Sequence, residues 1–173
     1  MGLMRNRGER PAGTTYQMRE KLFSVGDDYW IETESGERVI KVDGKALRIR
    51  KTLHLQDATG TDRYLIKEKL VSVREVMTIE TDAGPVATVK KALISPLRER
   101  YNVDLAAGGE WKVQGNIVDH QYEIEGPGGK IAEVAKKWFR VRDTYGVEVA
   151  PGQDDALVLA VTIVVDSMSH PTR

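Results

Sequence analysis

The chain has 173 residues, with 26 Lys or Arg and 26 Asp or Glu, so its formal net charge is zero. Balanced charge is not typical of a strongly basic nucleic-acid-binding protein, and we expect no nucleic-acid partner. The lack of cysteine excludes disulfides, thiolate nucleophiles and cysteine-ligated metals. This length suits one domain with a substantial core, and without a disulfide framework or secretory signal we expect a cytoplasmic protein.

The first 15 residues, MGLMRNRGERPAGTT, are polar and lack the apolar core of a signal peptide. We expect a disordered lead-in over 1–15, followed by a single domain over 16–170.

From Tyr16 onward, one apolar pattern recurs six times. In each copy an apolar residue is followed four residues later by a second, and two residues after that by a third. The middle residues are Tyr29, Leu53, Met77, Tyr101, Tyr122 and Tyr145, at steps of 24, 24, 24, 21 and 23. The three residues between the first and second apolar positions, as in VDHQY at 118–122, suit a hairpin loop. Alternation on both sides predicts strands with one inward face.

Glycine turns separate the copies, and glycine adopts the positive φ of a tight turn at little cost. They occur at Gly36, Gly60, Gly84, Gly108–Gly109 and Gly128–Gly129. Two strands per copy predict a mainly β fold of about twelve antiparallel strands. A flat sheet of that width would expose two edges, so we expect a closed barrel. A propeller needs four strands per blade, and a solenoid leaves the C-terminal apolar stretch unexplained.

Residues 156–165 are apolar except for Thr162. A strand buried on both faces would also be continuously apolar, but buried strands usually span about 4–8 residues. Asp154 or Asp155 can cap a first helical turn, and a bilayer span needs roughly 20 apolar residues. We interpret the stretch as a central hydrophobic helix over about 154–169 that fills the barrel, because a twelve-stranded barrel is too wide for its own side chains to fill.

Four stretches carry a family resemblance: YQMREKLFSVGDDYWI at 16–31, VDGKALRIRKTL at 42–53, QGNIVDHQYEI at 114–124 and KKWFRVRDTYGVEVAPGQDDALVLAVTIVVD at 136–166. In their order and spacing the chain resembles the LURP-one-related proteins of the tubby C-terminal-like superfamily. The resemblance implies a tubby-like barrel of twelve strands around a central helix, and it implies little about activity. The superfamily includes the phosphoinositide-binding tubby proteins and the phospholipid scramblases, but the motifs of neither are evident in this chain.

Basic residues cluster near the predicted turns. Our hypothesis is that Arg48, Arg50, Arg140 and Arg142 contact an anionic ligand, namely phospholipid headgroups at a membrane surface, through charge-assisted hydrogen bonds. A protein partner for the same surface is the other binding hypothesis. Acidic residues are interleaved with the basic ones, so an ordinary solvated barrel exterior is the competing interpretation.

No catalytic constellation is evident. His54, His120 and His170 lack metal-ligand spacing, and we interpret His120 as a satisfied loop histidine that Asp119 orients. The chain has no G-x-S-x-G, phosphate loop or dinucleotide motif. We expect a monomeric, non-enzymatic binding or scaffold protein without cofactor or metal, with peripheral membrane contact. The alternatives are a scramblase-like lipid-handling protein and an enzyme with a pocket at a barrel end.

Overall fold

The computed structural model describes residues 13–19, 28–43, 52–69, 75–92, 99–136 and 143–169. Twelve strands precede one helix within them. The elements are β1 (Thr14–Arg19), β2 (Tyr29–Thr33), β3 (Arg38–Asp43), β4 (Thr52–Asp57), β5 (Asp62–Lys69), β6 (Val76–Thr81), β7 (Gly84–Lys91), β8 (Arg100–Leu105), β9 (Glu110–Asn116), β10 (Gln121–Gly126), β11 (Gly129–Ala135), β12 (Thr144–Val149) and α1 (Asp155–Ser169). The predicted mainly β fold and strand number are confirmed.

The strands form a closed antiparallel barrel in which each pairs with its neighbours in sequence. Closure comes from β1 and β12, whose register runs from Thr14 opposite Val149 to Arg19 opposite Thr144. This register explains why β1 begins at Thr14, two residues before the expected start of the domain. Closure removes the unpaired backbone groups that an open sheet would expose, and the predicted barrel is confirmed.

The inward face of the barrel follows the sequence repeat. In all six copies the second and third apolar residues are buried: Tyr29, Ile31, Leu53, Leu55, Met77, Ile79, Tyr101, Val103, Tyr122, Ile124, Tyr145 and Val147. They belong to one hydrophobic cluster that contains residues from every strand and from α1. A period of two residues places these side chains on one face, as predicted.

One position of the repeat was predicted wrongly. Val118, the first apolar residue of the fifth copy, is 54% exposed, whereas Ile117 is buried. Ile117 lies in phase with the inward-facing Trp111 and Val113 of β9, so alternation along that strand places Val118 outside. A four-residue turn, 117–120, then leads into β10. The first apolar residues of the other five copies lie outside the described residues.

Helix α1 occupies the barrel interior, and all residues from Leu157 to Met168 are buried. Asp154 Oδ1 accepts a hydrogen bond from the Leu157 amide at 3.0 Å and caps the first turn. Thr162 satisfies its buried hydroxyl by donating to the Val158 carbonyl at 3.0 Å. Because β12 ends beside the glycine turns, α1 starts at that end of the barrel and runs to the opposite end. The predicted central helix is confirmed and the alternative of a buried strand is excluded.

Tyrosines hold the start of α1 to the wall. Tyr64 donates to Asp154 at 2.8 Å, and Tyr16 donates to Asp155. Both hydroxyls lie far from these acids in sequence, so they fix the helix only in the closed barrel. Desolvation and the neighbouring carboxylates raise the pKa of both phenols.

Candidate functional site at the cationic end of the barrel

The meander gives the two ends of the barrel different connections. At one end, which we call the glycine end, are the turns 34–37, 58–61, 82–83, 106–109 and 127–128 and the link 150–154 to α1. These segments contain four Asp or Glu and no Lys or Arg. The connections 20–28, 44–51, 70–75, 92–99, 117–120 and 136–143 begin and end at the opposite end, and they contain eleven Lys or Arg against seven Asp or Glu. We call this end the cationic end.

The four arginines of the binding hypothesis belong to two of these connections. Arg48 and Arg50 are in the segment between β3 and β4, and Arg140 and Arg142 are in the segment between β11 and β12. All four lie outside the described residues, so their role stays a prediction. The flanking strands end at the same rim of the barrel. Four strand spacings separate the two connections along the wall, which corresponds to about 19 Å.

Described cations also lie at this rim. Arg19, Lys69 and Arg100 are exposed at the rim ends of β1, β5 and β8, and none forms an ion pair with another residue that the structure describes. Lys91 is different, because it contacts Glu99 at 2.8 Å. Lys41 likewise contacts Asp28 at 2.7 Å. Among the described residues, the rim therefore carries cations that form ion pairs and cations that do not.

The side wall of the barrel agrees with the competing interpretation, an ordinary solvated exterior on which acidic residues neutralise the basic ones. Lys67 pairs with Glu80 at 2.7 Å, and Lys90 pairs with Asp104 at 2.7 Å across neighbouring strands. Lys130 contacts Glu133 at 3.1 Å. Such exposed pairs contribute little to stability, but they neutralise the wall locally. The excess of positive charge lies in the connections rather than on the wall.

A buried polar cluster lies beneath the cationic end. His120 Nε2 donates a hydrogen bond to Asp166 Oδ1 at 2.7 Å, and both residues are only 3% exposed. The Tyr145 ring stacks on the imidazole with centroids 4.2 Å apart, and its hydroxyl donates to Asp166 Oδ2 at 3.3 Å. The cluster thereby joins the β9–β10 turn and β12 to α1.

The structure corrects the predicted partner of His120. Asp119 instead accepts a hydrogen bond from the Asn116 side-chain amide at 2.7 Å, and the residue that orients His120 is Asp166. Asp166 lies 46 residues further along the chain, so local spacing could not reveal it. One sequence feature could have indicated this partner, because Asp166 is the single charged residue between Ala156 and Ser169. A lone carboxylate in a fully buried helix requires polar partners.

Three tyrosines surround this carboxylate from different strands. Burial raises the pKa of Tyr29, Tyr122 and Tyr145 well above 10, and the negative charge of Asp166 raises each further. All three phenols therefore stay neutral at physiological pH. The hydrogen bonds of Asp166 to His120 and Tyr145 join α1 to the barrel wall, so the geometry of the cluster fits an anchor between helix and wall.

A cavity of about 420 Å³ opens at the glycine end, which is one of the two barrel ends at which the enzyme alternative could have its pocket. Its lining includes Ile40, Leu159, Arg63 and the acids Asp154 and Asp155. The two acids already hold Tyr64, Tyr16 and the helix cap. Among the described residues, no group of three His, Asp or Glu is placed to hold a metal ion.

The fold and the site define a class of protein: a closed twelve-stranded antiparallel barrel around a buried C-terminal helix, without a helix among the described residues that is long and apolar enough to cross a membrane. A family model described as LURP-one-related matches residues 14–166. The chain belongs to the LURP-one-related family, and its barrel is consistent with the tubby-like superfamily.

Two known proteins are similar over most of their length. The uncharacterized protein YxjI of Bacillus subtilis (strain 168) is 24% identical over 153 residues, which covers 88% of this chain and 92% of that protein. An X-ray structure of a protein from Arabidopsis thaliana superposes with a TM-score of 0.65 at 15% identity, covering 92% of this chain and 94% of that one. The second comparison supports the fold alone.

Proposed function

We propose that this protein is a non-enzymatic binding protein that docks its cationic end onto anionic phospholipid headgroups at a membrane surface. The observation that carries the proposal is the charge difference between the two barrel ends. The connections at the cationic end hold four more Lys or Arg than Asp or Glu, whereas those at the glycine end hold four Asp or Glu and no Lys or Arg. An anionic surface attracts one end and repels the other, so the protein approaches it in one orientation.

The expected affinity is modest. A basic residue near an anionic membrane surface contributes about 1 kcal/mol, so an excess of four cations contributes about 4 kcal/mol. Binding of that strength is reversible, and it weakens as salt screens the charges. Lys67 and Lys90 of the side wall add little, because each already contacts a carboxylate on a neighbouring strand.

Co-sedimentation with vesicles tests the proposal. The vesicles contain either phosphatidylcholine alone or phosphatidylcholine with phosphatidylserine or a phosphoinositide, at low and physiological salt. The test variant replaces Arg48, Arg50, Arg140 and Arg142 with Gln. The matched control removes the same charge elsewhere, by Gln substitutions at Arg38, Arg63, Lys112 and Lys130.

We expect the parent and the control to pellet with anionic vesicles, less so at higher salt, and the test variant to stay in solution. If both variants lose binding equally, net charge rather than the cationic end controls it. If the parent does not pellet with any vesicle at low salt, the lipid proposal is wrong and a protein partner takes its place.

A further inference from the structure

The β9–β10 turn presents an apolar side chain at the cationic end. Val118 is 54% exposed, and it is the one exposed large hydrophobic side chain among the residues that the structure describes. Its neighbours in the turn point the other way: Ile117 is in the core and His120 is in the buried polar cluster. The turn is therefore anchored to the interior through Ile117 and His120, and the Val118 side chain between them points outward as the tip of the turn.

Hydrogen bonds close this turn on itself. The His120 amide donates to the Ile117 carbonyl at 3.0 Å. Asn116 and Asp119 exchange two more bonds, from the Asn116 side-chain amide at 2.7 Å and from the Asp119 amide at 3.2 Å. These contacts leave the turn little freedom to withdraw Val118 from solvent.

Backbone strain at His120 supports the same conclusion. Its φ is +52°, in the left-handed region that glycine or asparagine adopts more readily. The conformation is held because the imidazole is bonded to Asp166 and stacked on Tyr145. A strained residue that is fixed by the helix keeps the tip in one position, and such strain commonly marks functional segments.

We propose that Val118 is a membrane-contacting tip that enters the bilayer interface when the cationic end docks. This inference rests on the proposed function and adds an apolar contact to it. A single exposed valine is unremarkable on a side wall. Here it lies on a rigid turn at the rim that carries the exposed Arg100, which pairs with Gln114 of β9 in the sheet. Basic and apolar groups at one surface are the combination that binds the headgroup boundary of anionic membranes. The described residues around Val118 do not form a flat or grooved apolar surface on which a helix or strand could pack.

The chain has no cysteine, so single labels can be placed without background. An environment-sensitive fluorophore on Val118→Cys is compared with the same label on Ala107→Cys, in the exposed β8–β9 turn of the glycine end. Vesicles of phosphatidylcholine and phosphatidylserine are added, and pelleting is measured on the same samples. We expect a blue shift and quenching by shallow lipid-borne quenchers at position 118, and neither at position 107.

The outcomes separate the two ideas. If the labelled proteins pellet but the label at 118 stays in a water-like environment, insertion is wrong and surface docking stands. If neither pellets, while the unlabelled parent also stays in solution, both ideas are wrong. A shift at 107 alone would reverse the proposed orientation and also refute the tip.

Substitutions of Val118 give an independent measurement. Val118→Ala should weaken vesicle binding by up to about fifteenfold, and Val118→Leu should strengthen it by up to about fourfold. The first factor corresponds to the loss of two fully buried methylene-sized groups, and the second corresponds to the gain of one. Val118 is largely exposed, so melting temperatures should stay near that of the parent. Unchanged binding in both variants would contradict a contacting tip.

Discussion

Replacing one member of the His120–Asp166 pair should destabilise the protein far more than replacing both. Asp166→Leu leaves a buried imidazole without its carboxylate, and His120→Phe leaves a buried carboxylate without the imidazole that bonds it at 2.7 Å. Removing one partner of a buried pair typically costs about 3–5 kcal/mol. Asp166→Leu also removes the acceptor of the Tyr145 hydroxyl, which adds about 1–3 kcal/mol. Either loss is a large part of the 5–15 kcal/mol that stabilises an ordinary domain.

The double variant should recover much of this loss. Phe can retain the stacking on Tyr145 and Leu fills the space of Asp166, and apolar replacements of a buried pair are often close to neutral. We therefore expect a coupling free energy of at least about 2 kcal/mol in the cycle. The assay is urea unfolding of parent, single and double variants, followed by tryptophan fluorescence and circular dichroism.

Additive losses in that cycle would show that the two side chains do not interact in the folded protein. Losses below about 1 kcal/mol in both single variants would show that water reaches the cluster and that the helix is not seated as described.

Three further predictions concern the barrel. Val161 is fully buried in α1, so Val161→Asp should prevent folding by burying an unpaired charge. Val161→Thr, whose hydroxyl can bond the carbonyl one turn earlier as Thr162 does, should cost only about 1–3 kcal/mol in urea unfolding. All six tyrosines have a raised pKa, because burial disfavours the phenolate. Their contribution to stability is therefore full below about pH 10 and lost as pH rises through the folded-state pKa. Absorbance at 295 nm should show tyrosinate only as alkaline unfolding begins; ionisation in the folded state near pH 10 would contradict the burial. Gly115 has φ +141°, and a Cβ there would lie 2.6 Å from the Gln121 carbonyl oxygen. Gly115→Ala should lower the melting temperature more than Gly36→Ala, because a Cβ at Gly36 would meet no atom within 4 Å. Equal losses in melting temperature would show that the cost comes from the positive φ alone and not from the close contact at Gly115.

The architecture was predictable because it depends on patterns that are local and repeated. Alternation of period two, glycine turns at steady intervals and one apolar stretch too long for a strand were sufficient for the barrel and its helix. The same alternation, applied along β9 from Trp111 and Val113, would have placed Ile117 inside; the wider repeat favoured Val118 and was wrong there. A phase error of one residue reverses the face that a side chain occupies.

The site was much less predictable. Asp166 meets His120 only after α1 has been enclosed by the wall, and no spacing between the two residues specifies that contact. The wall pairs, such as Lys67 with Glu80, likewise depend on strand register. Charge composition, by contrast, was informative once the meander assigned each connection to an end. The four arginines remain a prediction, since the structure does not describe them.

The position of α1 in the chain has a consequence for biosynthesis. The helix follows all twelve strands, and β1 cannot complete its pairing until β12 has been made. At about 5–20 residues per second, a ribosome takes roughly 8–30 s to advance the 150 residues from Arg19 to Ser169. Throughout that time the inward faces of the strands have no helix to cover them. A nascent chain of this kind is exposed to aggregation for most of its synthesis, so we expect its yield in cells to depend on chaperones that shield apolar strands during translation.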